Sequence, residues 1–245
     1  MLIGGLQKTT LIDYPGKIAC TVFTVGCNFR CPYCHNKDLL SPALFKKAKI
    51  EEISQKDFFD FLKKRKSILD GVCITGGEPT VHNDLPEFIG KMKQLGYSVK
   101  LDSNGSNPEM LEKLIKKKLI DYIAMDLKGP FDEYKKFIGT KISKMSILRS
   151  MDILVQSGLP YEFRTTVVPG LHDKKNLVKL AKQLEKSTGN WRLAADSLKW
   201  FFQTFKPQNC LDSKYLKIQP YSNKQMNEIL LAVKKILPNT KLRGE

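Results

Sequence analysis

The chain alternates short apolar segments with amphipathic ones, and this alternation is the feature that most restricts its fold. Apolar, β-branched runs predict strands, and apolar residues at helical spacing predict the helices between them. The predicted strands cover residues 18–25, 71–75, 98–102, 120–127, 161–168 and 200–205, with a short edge strand at 240–243. The predicted helices cover residues 56–69, 84–95, 108–118, 143–157, 174–187 and 223–237. Strands that alternate with helices pair in parallel through right-handed crossovers.

About six such units are too few to close an eight-stranded barrel. We therefore predict an α/β fold with a parallel sheet, in the form of an open, partial (β/α)6-type barrel. The sequence shows no repeat, linker or change of composition, so residues 1–245 are expected to form a single domain.

Polar residues follow the predicted strands at the points where the strands end. They form a cysteine-rich loop at 26–36, GGEP at 76–79, DSNG at 102–105, DLKG at 126–129 and VVPG at 167–170. Parallel α/β folds build their sites at the carboxyl ends of the strands. These segments are therefore expected to converge on one mouth of the barrel.

Three of the six cysteines lie within eight residues, as Cys27, Cys31 and Cys34 in a C-x3-C-x2-C pattern. Thiolates bind both iron–sulfur clusters and zinc. Three thiolates on one loop can hold three irons of a [4Fe–4S] cube and leave the fourth iron without a protein ligand. Such an iron at the mouth of a barrel is a place where a substrate or cofactor can coordinate.

Zinc is the alternative, with His35 as a fourth ligand. It is disfavoured because adjacent Cys34 and His35 would both have to turn onto one tetrahedral ion, and because structural zinc sites staple small domains that lack a core. Cys20 and Cys73 fall inside predicted strands and are interpreted as small buried hydrophobes. Cys210 lies in a polar loop, and the sequence assigns it no role.

Net charge gives a second constraint on function. The chain has 41 Lys and Arg residues and 25 acidic residues, for a formal charge of +16. Most of the surplus is scattered lysine, which is typical of solvated helix faces or of a surface for an acidic partner. Arginines are few and no basic–aromatic stripe is present, so nucleic-acid binding is not expected. With no apolar run of roughly 18 residues and no secretory pattern, we expect a cytoplasmic protein without a membrane segment.

The motifs carry a resemblance to a known family. C-x3-C-x-aromatic-C followed by GGEP resembles the radical S-adenosylmethionine (SAM) superfamily. TLIDYPGKIACTVFTVGCNFRCPYCHN and RTTVVPGLHD resemble the anaerobic ribonucleoside-triphosphate reductase activating proteins, and more broadly the glycyl-radical-enzyme activases such as the pyruvate formate-lyase activator. The resemblance covers about residues 6–168 and is weaker beyond, so the segment 190–245 is expected to close the barrel and face the partner.

The resemblance implies a radical SAM fold and assigns roles to matched residues. Cys27, Cys31 and Cys34 would hold a [4Fe–4S] cluster whose open iron chelates SAM, and no side chain beyond these cofactors is assigned a catalytic role. The remaining implied contacts are to SAM. They are Tyr33 beside the adenine, Gly76, Gly77 and Glu78 at the ammonium, and Asp102, Asp126 and Lys128 near the ribose and the methionyl carboxylate. Asn104 of DSNG and Arg164 are expected to bind the same cofactor.

Arg164 stands in an apolar strand and needs an anionic partner, for which either the SAM carboxylate or a structural carboxylate would serve. Some activases also hold a monovalent cation between the DSNG and DLKG loops, and the resemblance leaves that cofactor open. His35, His82 and His172 are interpreted as loop histidines with satisfied hydrogen bonds and no catalytic role.

The resemblance implies a radical SAM oxidoreductase that generates a glycyl radical on a partner, with anaerobic ribonucleoside-triphosphate reductase as the leading candidate. A flavodoxin or ferredoxin would supply the electron. Two alternatives remain open at this point: a radical SAM enzyme acting on a peptide, nucleobase or small metabolite, and a zinc or iron–sulfur nucleic-acid-binding module.

Overall fold

The computed structural model describes residues 1–191 and 198–243, which form one eight-stranded sheet with helices packed against it. The strands are β1 (Ile3–Thr10), β2 (Ala19–Thr24), β3 (Gly71–Gly76), β4 (Ser98–Ser103), β5 (Tyr122–Asp126), β6 (Tyr161–Val167), β7 (Trp200–Thr204) and β8 (Lys241–Leu242). The helices are α1 (Pro42–Lys47), α2 (Gln55–Lys64), α3 (Leu85–Gln94), α4 (Pro108–Lys116), α5 (Tyr134–Ile138), α6 (Lys144–Gln156), α7 (Lys174–Trp191) and α8 (Asn223–Lys234). Residues 192–197, 244 and 245 of the predicted closing segment lie outside the described residues.

Strands that are neighbours in the sheet are also neighbours in sequence, in the order β1 to β8. β1 pairs with β2 antiparallel, and every later pair is parallel. Parallel strands joined in sequence by helices wind the sheet in one direction. This topology confirms the predicted α/β fold with a parallel sheet curved into a partial barrel.

Three elements lie outside the predicted set: β1, α1 and α5. The sequence of β1, IGGLQKTT, contains two glycines and four polar residues, and its pairing with β2 shifts register twice. The helices α1 and α5 have six and five residues, too few for an apolar period to become visible. The predicted helix 56–69 is too long at its end. The corresponding helix α2 ends at Lys64, inside the run of four cations at 63–66.

Local signals fix several helix starts. The side chains of Ser41, Ser54 and Ser222 accept hydrogen bonds from first-turn amides of α1, α2 and α8. Asn107 does the same for α4. These caps satisfy amides that have no partner inside the helix. Among the described helices, none is both long and apolar enough to cross a membrane.

The apolar core lies between the sheet and the helices. Phe58 and Leu62 of α2 pack with Phe88 of α3, and the two phenyl rings stack with centroids 5.4 Å apart. Val99 and Leu101 of β4 are fully buried in the same core. Burial of these side chains is the main force that holds the helices on the sheet.

The opposite side of the sheet is polar, although it is also buried. Lys100 and Asp102 alternate with Val99 and Leu101 along β4, so they point to the other side of the sheet. Both side chains join an ion-pair network inside the barrel. The period-two alternation therefore separates an apolar face toward the helices from a charged lumen that leads to the mouth.

We expect Leu62→Ala to lower the free energy of unfolding by about 2–5 kcal/mol, because it opens a cavity at a fully buried position. Leu231→Ala on α8 is the matched control, because that side chain is 63% exposed. It should change stability by no more than about 0.5 kcal/mol. Anaerobic chemical denaturation followed by circular dichroism measures both values. Equal losses in the two variants would contradict the position of the core.

Candidate cofactor site

The cysteine loop is held by backbone contacts to two different segments. The amides of Gly26 and Cys27 donate to the carbonyls of Leu39 and Leu40, at 2.8 and 3.1 Å. The amide of Arg30 donates to the carbonyl of Ile138 at 2.8 Å. The loop is thereby fixed at the carboxyl end of β2, at the mouth of the barrel.

The three thiols of this loop line one cavity. Cys27, Cys31 and Cys34 share its wall, and none of them forms a disulfide. Burial raises the pKa of Cys27 and Cys31 to about 12, although Lys128 opposes the shift. A neutral thiol is a poor metal ligand, and a bound metal replaces the thiol proton. One buried and two half-buried thiols that face one space are a donor set that fits an iron–sulfur cluster.

The glycines of GGEP bring two loops into backbone contact. Gly76 has φ +113°, and a Cβ at Gly77 would lie 2.1 Å from the carbonyl oxygen of Gly26. The amides of Gly77 and Glu78 donate to Thr24 and Gly26. Only residues without a side chain permit this approach. The glycines therefore set the position of the cysteine loop as well as shaping the cavity that they line.

Glu78 joins the GGEP loop to the DSNG loop. Its carboxylate is 1% exposed and accepts hydrogen bonds from the Thr80 amide and hydroxyl, the Ser103 hydroxyl and the Asn104 amide. Burial raises the pKa of Glu78, while these hydrogen bonds oppose the shift. The side-chain Nδ2 of Asn104 donates in turn to the side-chain Oδ1 of Asn28 at 3.0 Å. Ser103 was not singled out in the sequence, because no local pattern indicates its bond to a residue 25 positions away. Thr80, two residues after Glu78, was not singled out either.

Asp102, Asp126 and Arg164 come together inside the barrel from three adjacent strands. Arg164 donates from Nε to Asp126 and from a terminal nitrogen to Asp102, both at 3.0 Å. Lys128 donates to the second oxygen of Asp126 at 2.8 Å, and Lys100 pairs with Asp102. Of the two anionic partners that the sequence allowed for Arg164, the structure provides the structural carboxylates.

This network carries one more positive charge than negative, with three cations around two carboxylates. Burial alone would raise the pKa of Asp126, but Lys128 and Arg164 hold it well below its usual range. Asp102 is likewise held ionised by Arg164 and Lys100 against the effect of burial. Lys128 lies on the cavity wall, so the surplus charge favours an anionic group bound beside it.

Tyr33 lies on the same wall, with its ring edge against His172 and 6.1 Å between ring centroids. Its hydroxyl and the Nε2 of His82 are the buried side-chain atoms without a hydrogen-bond partner within the described parts of the chain. The expectation of satisfied hydrogen bonds is therefore wrong for His82 Nε2. A buried polar atom without a partner, as at Tyr33, is costly unless a ligand or water satisfies it.

His172 is held as a neutral imidazole. The Val168 amide donates to its Nδ1 at 3.0 Å, and its Nε2 lies 2.9 Å from the Lys128 carbonyl oxygen, to which it donates. Burial lowers the pKa of His172 to about 4. The ring therefore ties the loop after β6 to the backbone of Lys128 in the DLKG loop.

His35 also lines the cavity, but its ring is held by residues outside the cysteine loop. Its Nε2 lies against the Lys206 carbonyl oxygen, and its ring stacks on Phe205 with centroids 5.5 Å apart. Over residues 1–191 and 198–243, no three His, Cys, Asp or Glu side chains are placed to hold a single metal ion. The engaged imidazole disfavours the zinc alternative.

Residues 205–215 pack on the outer rim of the cysteine loop. The Asp212 amide donates to the Pro32 carbonyl at 2.9 Å, and the Asn209 side chain donates to the His35 carbonyl at 3.1 Å. Cys210 is 2% exposed here, and Cys20 and Cys73 are fully buried as expected. The contact between this segment and the cysteine loop was missed, because it joins parts of the chain more than 170 residues apart.

Comparison with known proteins gives one family. The model described as Radical SAM superfamily matches residues 21–181. A Methanocaldococcus jannaschii protein provisionally named as a glycyl-radical enzyme activating enzyme is 34% identical over 99% of this chain and 95% of its own length. The pyruvate formate-lyase-activating enzyme of Listeria monocytogenes is 33% identical, and the match covers 73% of each chain.

Solved structures share the architecture. Streptococcus suis SuiB bound to its precursor peptide SuiA has a TM-score of 0.63 at 15% identity, over 91% of this chain and 48% of SuiB. The chain thus spans about half the length of SuiB. QueE from Escherichia coli has a TM-score of 0.56 at 15% identity, over 98% of this chain and 92% of QueE. At these identities the likeness shows a common fold.

We expect the wild type to have a larger free energy of unfolding than His172→Gln at pH 7.5, and this difference to shrink as the pH falls to 4.5. The unfolded histidine binds a proton near its ordinary pKa of about 6.5, whereas the buried ring resists protonation down to about 4. The wild type therefore loses up to about 3 kcal/mol in this window, and glutamine loses nothing through titration. Anaerobic denaturation at a series of pH values measures the difference, and a constant gap would contradict the neutral ring.

Proposed function

Because the chain belongs to the radical SAM superfamily, within its glycyl-radical enzyme activating branch, we propose that it activates anaerobic ribonucleoside-triphosphate reductase. Enzymes of this class use a [4Fe–4S] cluster and SAM. When bound, these cofactors supply a 5′-deoxyadenosyl radical that abstracts hydrogen from a glycine Cα of the partner. The observation that carries the proposal is the convergence of three thiols and one surplus cation on a single cavity at the mouth of the barrel.

In this proposal Cys27, Cys31 and Cys34 hold the cluster. Support comes from their common cavity and from the backbone contacts that fix the loop. The loop provides three thiols, and His35 is engaged elsewhere, so one iron remains for the amino and carboxylate groups of SAM.

The proposed SAM contacts are the other residues of the cavity. Lys128 pairs with the SAM carboxylate, because it carries the charge that the network leaves unbalanced. Gly76 and Gly77 admit the SAM ammonium close to the backbone, and Tyr33 lies along the adenine. Asp102 is proposed to meet the ribose.

Three further residues position these contacts. Glu78 and Asn104 hold the GGEP and DSNG loops together. Arg164 holds Asp126, which in turn aims Lys128. Since the Arg164 guanidinium already lies between the carboxylates of Asp102 and Asp126, the proposal does not include a monovalent cation there.

We also propose that residues 1–245 act as one domain, with the segment 190–245 closing the site beside the partner. Its described part supports this role, because residues 205–215 pack on the cysteine loop. A flavodoxin or ferredoxin is proposed as the electron donor, since the chain carries +16 and such carriers are acidic.

We expect Cys31→Ala to lose the cluster and all SAM cleavage, because two thiols cannot retain the cluster. The wild type should contain about four irons and four sulfides per chain after anaerobic reconstitution, and should form 5′-deoxyadenosine with SAM and dithionite. Cys20→Ala is the control, since that buried thiol lies outside the cavity; it should keep both properties. Survival of turnover in Cys31→Ala, or one zinc in the wild type, would contradict the ligand assignment.

We expect the reduced enzyme and SAM to produce a glycyl radical on anaerobic ribonucleoside-triphosphate reductase from the same organism. Electron spin resonance measures the radical, and replacing the radical-bearing glycine of the reductase by alanine is the control. Pyruvate formate-lyase is tested in parallel. A radical on the lyase alone would reject the specific partner but keep the activase, and SAM cleavage with no radical on either protein would favour a peptide, nucleobase or metabolite substrate.

A further inference from the structure

The cysteine loop has two sides, and only one of them faces the cavity. The cavity side holds the three thiols, Lys128 and the charged lumen. If SAM and the glycine of the partner use that side, as the proposed function requires, a protein that delivers an electron must approach from the other side. On that other side, residues 138–140 cover the cysteine loop.

The covering segment is thin and consists of backbone. The Arg30 amide donates to Ile138 at 2.8 Å, and the Thr140 hydroxyl lies 3.4 Å from the Asn28 carbonyl, to which it donates. Gly139 has φ +69°, and a Cβ on it would lie 2.2 Å from the Arg30 carbonyl oxygen. Gly139 is itself exposed. Solvent is therefore one backbone contact away from the peptide that joins Arg30 to Cys31, and electron transfer weakens steeply with distance.

Exposed cations surround this thin point. We define the basic face by five exposed side chains around Gly139, which are Arg30, Lys135, Lys136, Lys141 and Lys144. The sequence from 134 to 151 contains no Asp or Glu. The positive charge is therefore not balanced within the segment.

Three acidic residues near the basic face are already paired with other cations. Asp132 and Glu133 both bind the ammonium of Lys179, at 2.5 and 2.6 Å. Glu109 binds Arg149 at 2.5 Å. These pairs leave the charge of the basic face available to an incoming protein, whose approach it would accelerate.

An apolar side chain lies among these charges. Met145 is 67% exposed and directly follows Lys144. Methionine and arginine are enriched in protein interfaces, and weak electron-transfer complexes bury little area. A small apolar contact surrounded by complementary charge suits a partner that must bind briefly and leave.

From these contacts and charges we propose that the basic face is the docking surface for a small acidic protein that carries one electron. The electron passes from the reduced carrier to the cluster, so the carrier is oxidised by one electron and the cluster is reduced by one. This inference rests on the proposed function, because it assumes that Cys31 ligates the cluster.

The test is the double variant Lys136→Glu/Lys141→Glu in the reconstituted holoenzyme. Stopped-flow absorbance measures the bimolecular rate of cluster reduction by an acidic flavodoxin in its reduced form. At low ionic strength we expect the rate to fall about tenfold or more relative to the wild type. Added salt should slow the wild type, because it screens the attraction, and should affect the variant little.

Lys64→Glu/Lys66→Glu is the matched control. It makes the same change in net charge with exposed lysines at the end of α2, beyond the amino-terminal edge of β3 and away from the mouth. This control should reduce near the wild-type rate. Equal rates in the two double variants, or no reduction of the wild type by either flavodoxin or ferredoxin, would overturn the docking surface.

Turnover with dithionite separates this proposal from the proposed function. Dithionite needs no docking surface, so all three proteins should form 5′-deoxyadenosine from SAM at similar rates. Absence of the product in the wild type would reject the radical SAM assignment itself. If the charge reversals impair folding, Lys136→Gln/Lys141→Gln must still slow the flavodoxin reaction by a smaller factor, and an unchanged rate would reject the basic face.

Discussion

The charged lumen depends on the ion pairs of the Arg164 guanidinium. Its Nε and one terminal nitrogen reach two carboxylates from different strands, Asp126 and Asp102. A lysine offers one ammonium in place of this planar fork and could not hold both in fixed directions. Removing one partner from such a buried network typically costs about 3–5 kcal/mol. The network therefore constrains the register of β4, β5 and β6, and it leaves one oxygen of Asp126 to orient Lys128.

Around this rigid lumen, the mouth is assembled from loops that touch through their backbones. Gly77 lies against Gly26, and Gly139 lies against Arg30, at distances that exclude a Cβ. Backbone contacts of this kind bring the loops close together, although glycine gives up more conformational freedom on folding than any other residue. Gly77 also lines the cavity beside the thiols without adding a side chain to it. It thus fixes the cysteine loop and leaves room for a cofactor.

The sequence predicted those parts of the molecule whose signals are local. Apolar runs located β2 to β7 within a few residues, and the cysteine motif located the loop that follows β2. β1 was missed because its glycines and polar residues hide the pattern of a strand. The bonds of Glu78 and the packing of Asn209 on the cysteine loop join distant segments, so no window of sequence contains both partners. Arg164 shows most clearly what the sequence could not predict. Its apolar strand predicted a buried cation, but only the fold shows which carboxylates pair with it.

Whether the positive charge of the chain affects function depends on where the charged residues lie. A surplus of exposed lysine has little effect on stability, because solvent screens isolated surface charges. Most of the surplus is therefore compatible with solvated helix faces. The lysines around Gly139 differ, because they lie over the one described contact where an exposed glycine touches the cysteine loop from outside. Charge at that point raises the local concentration of an acidic carrier where the path to the thiols is short. Charge elsewhere on the chain would attract the same carrier to places from which an electron has farther to travel.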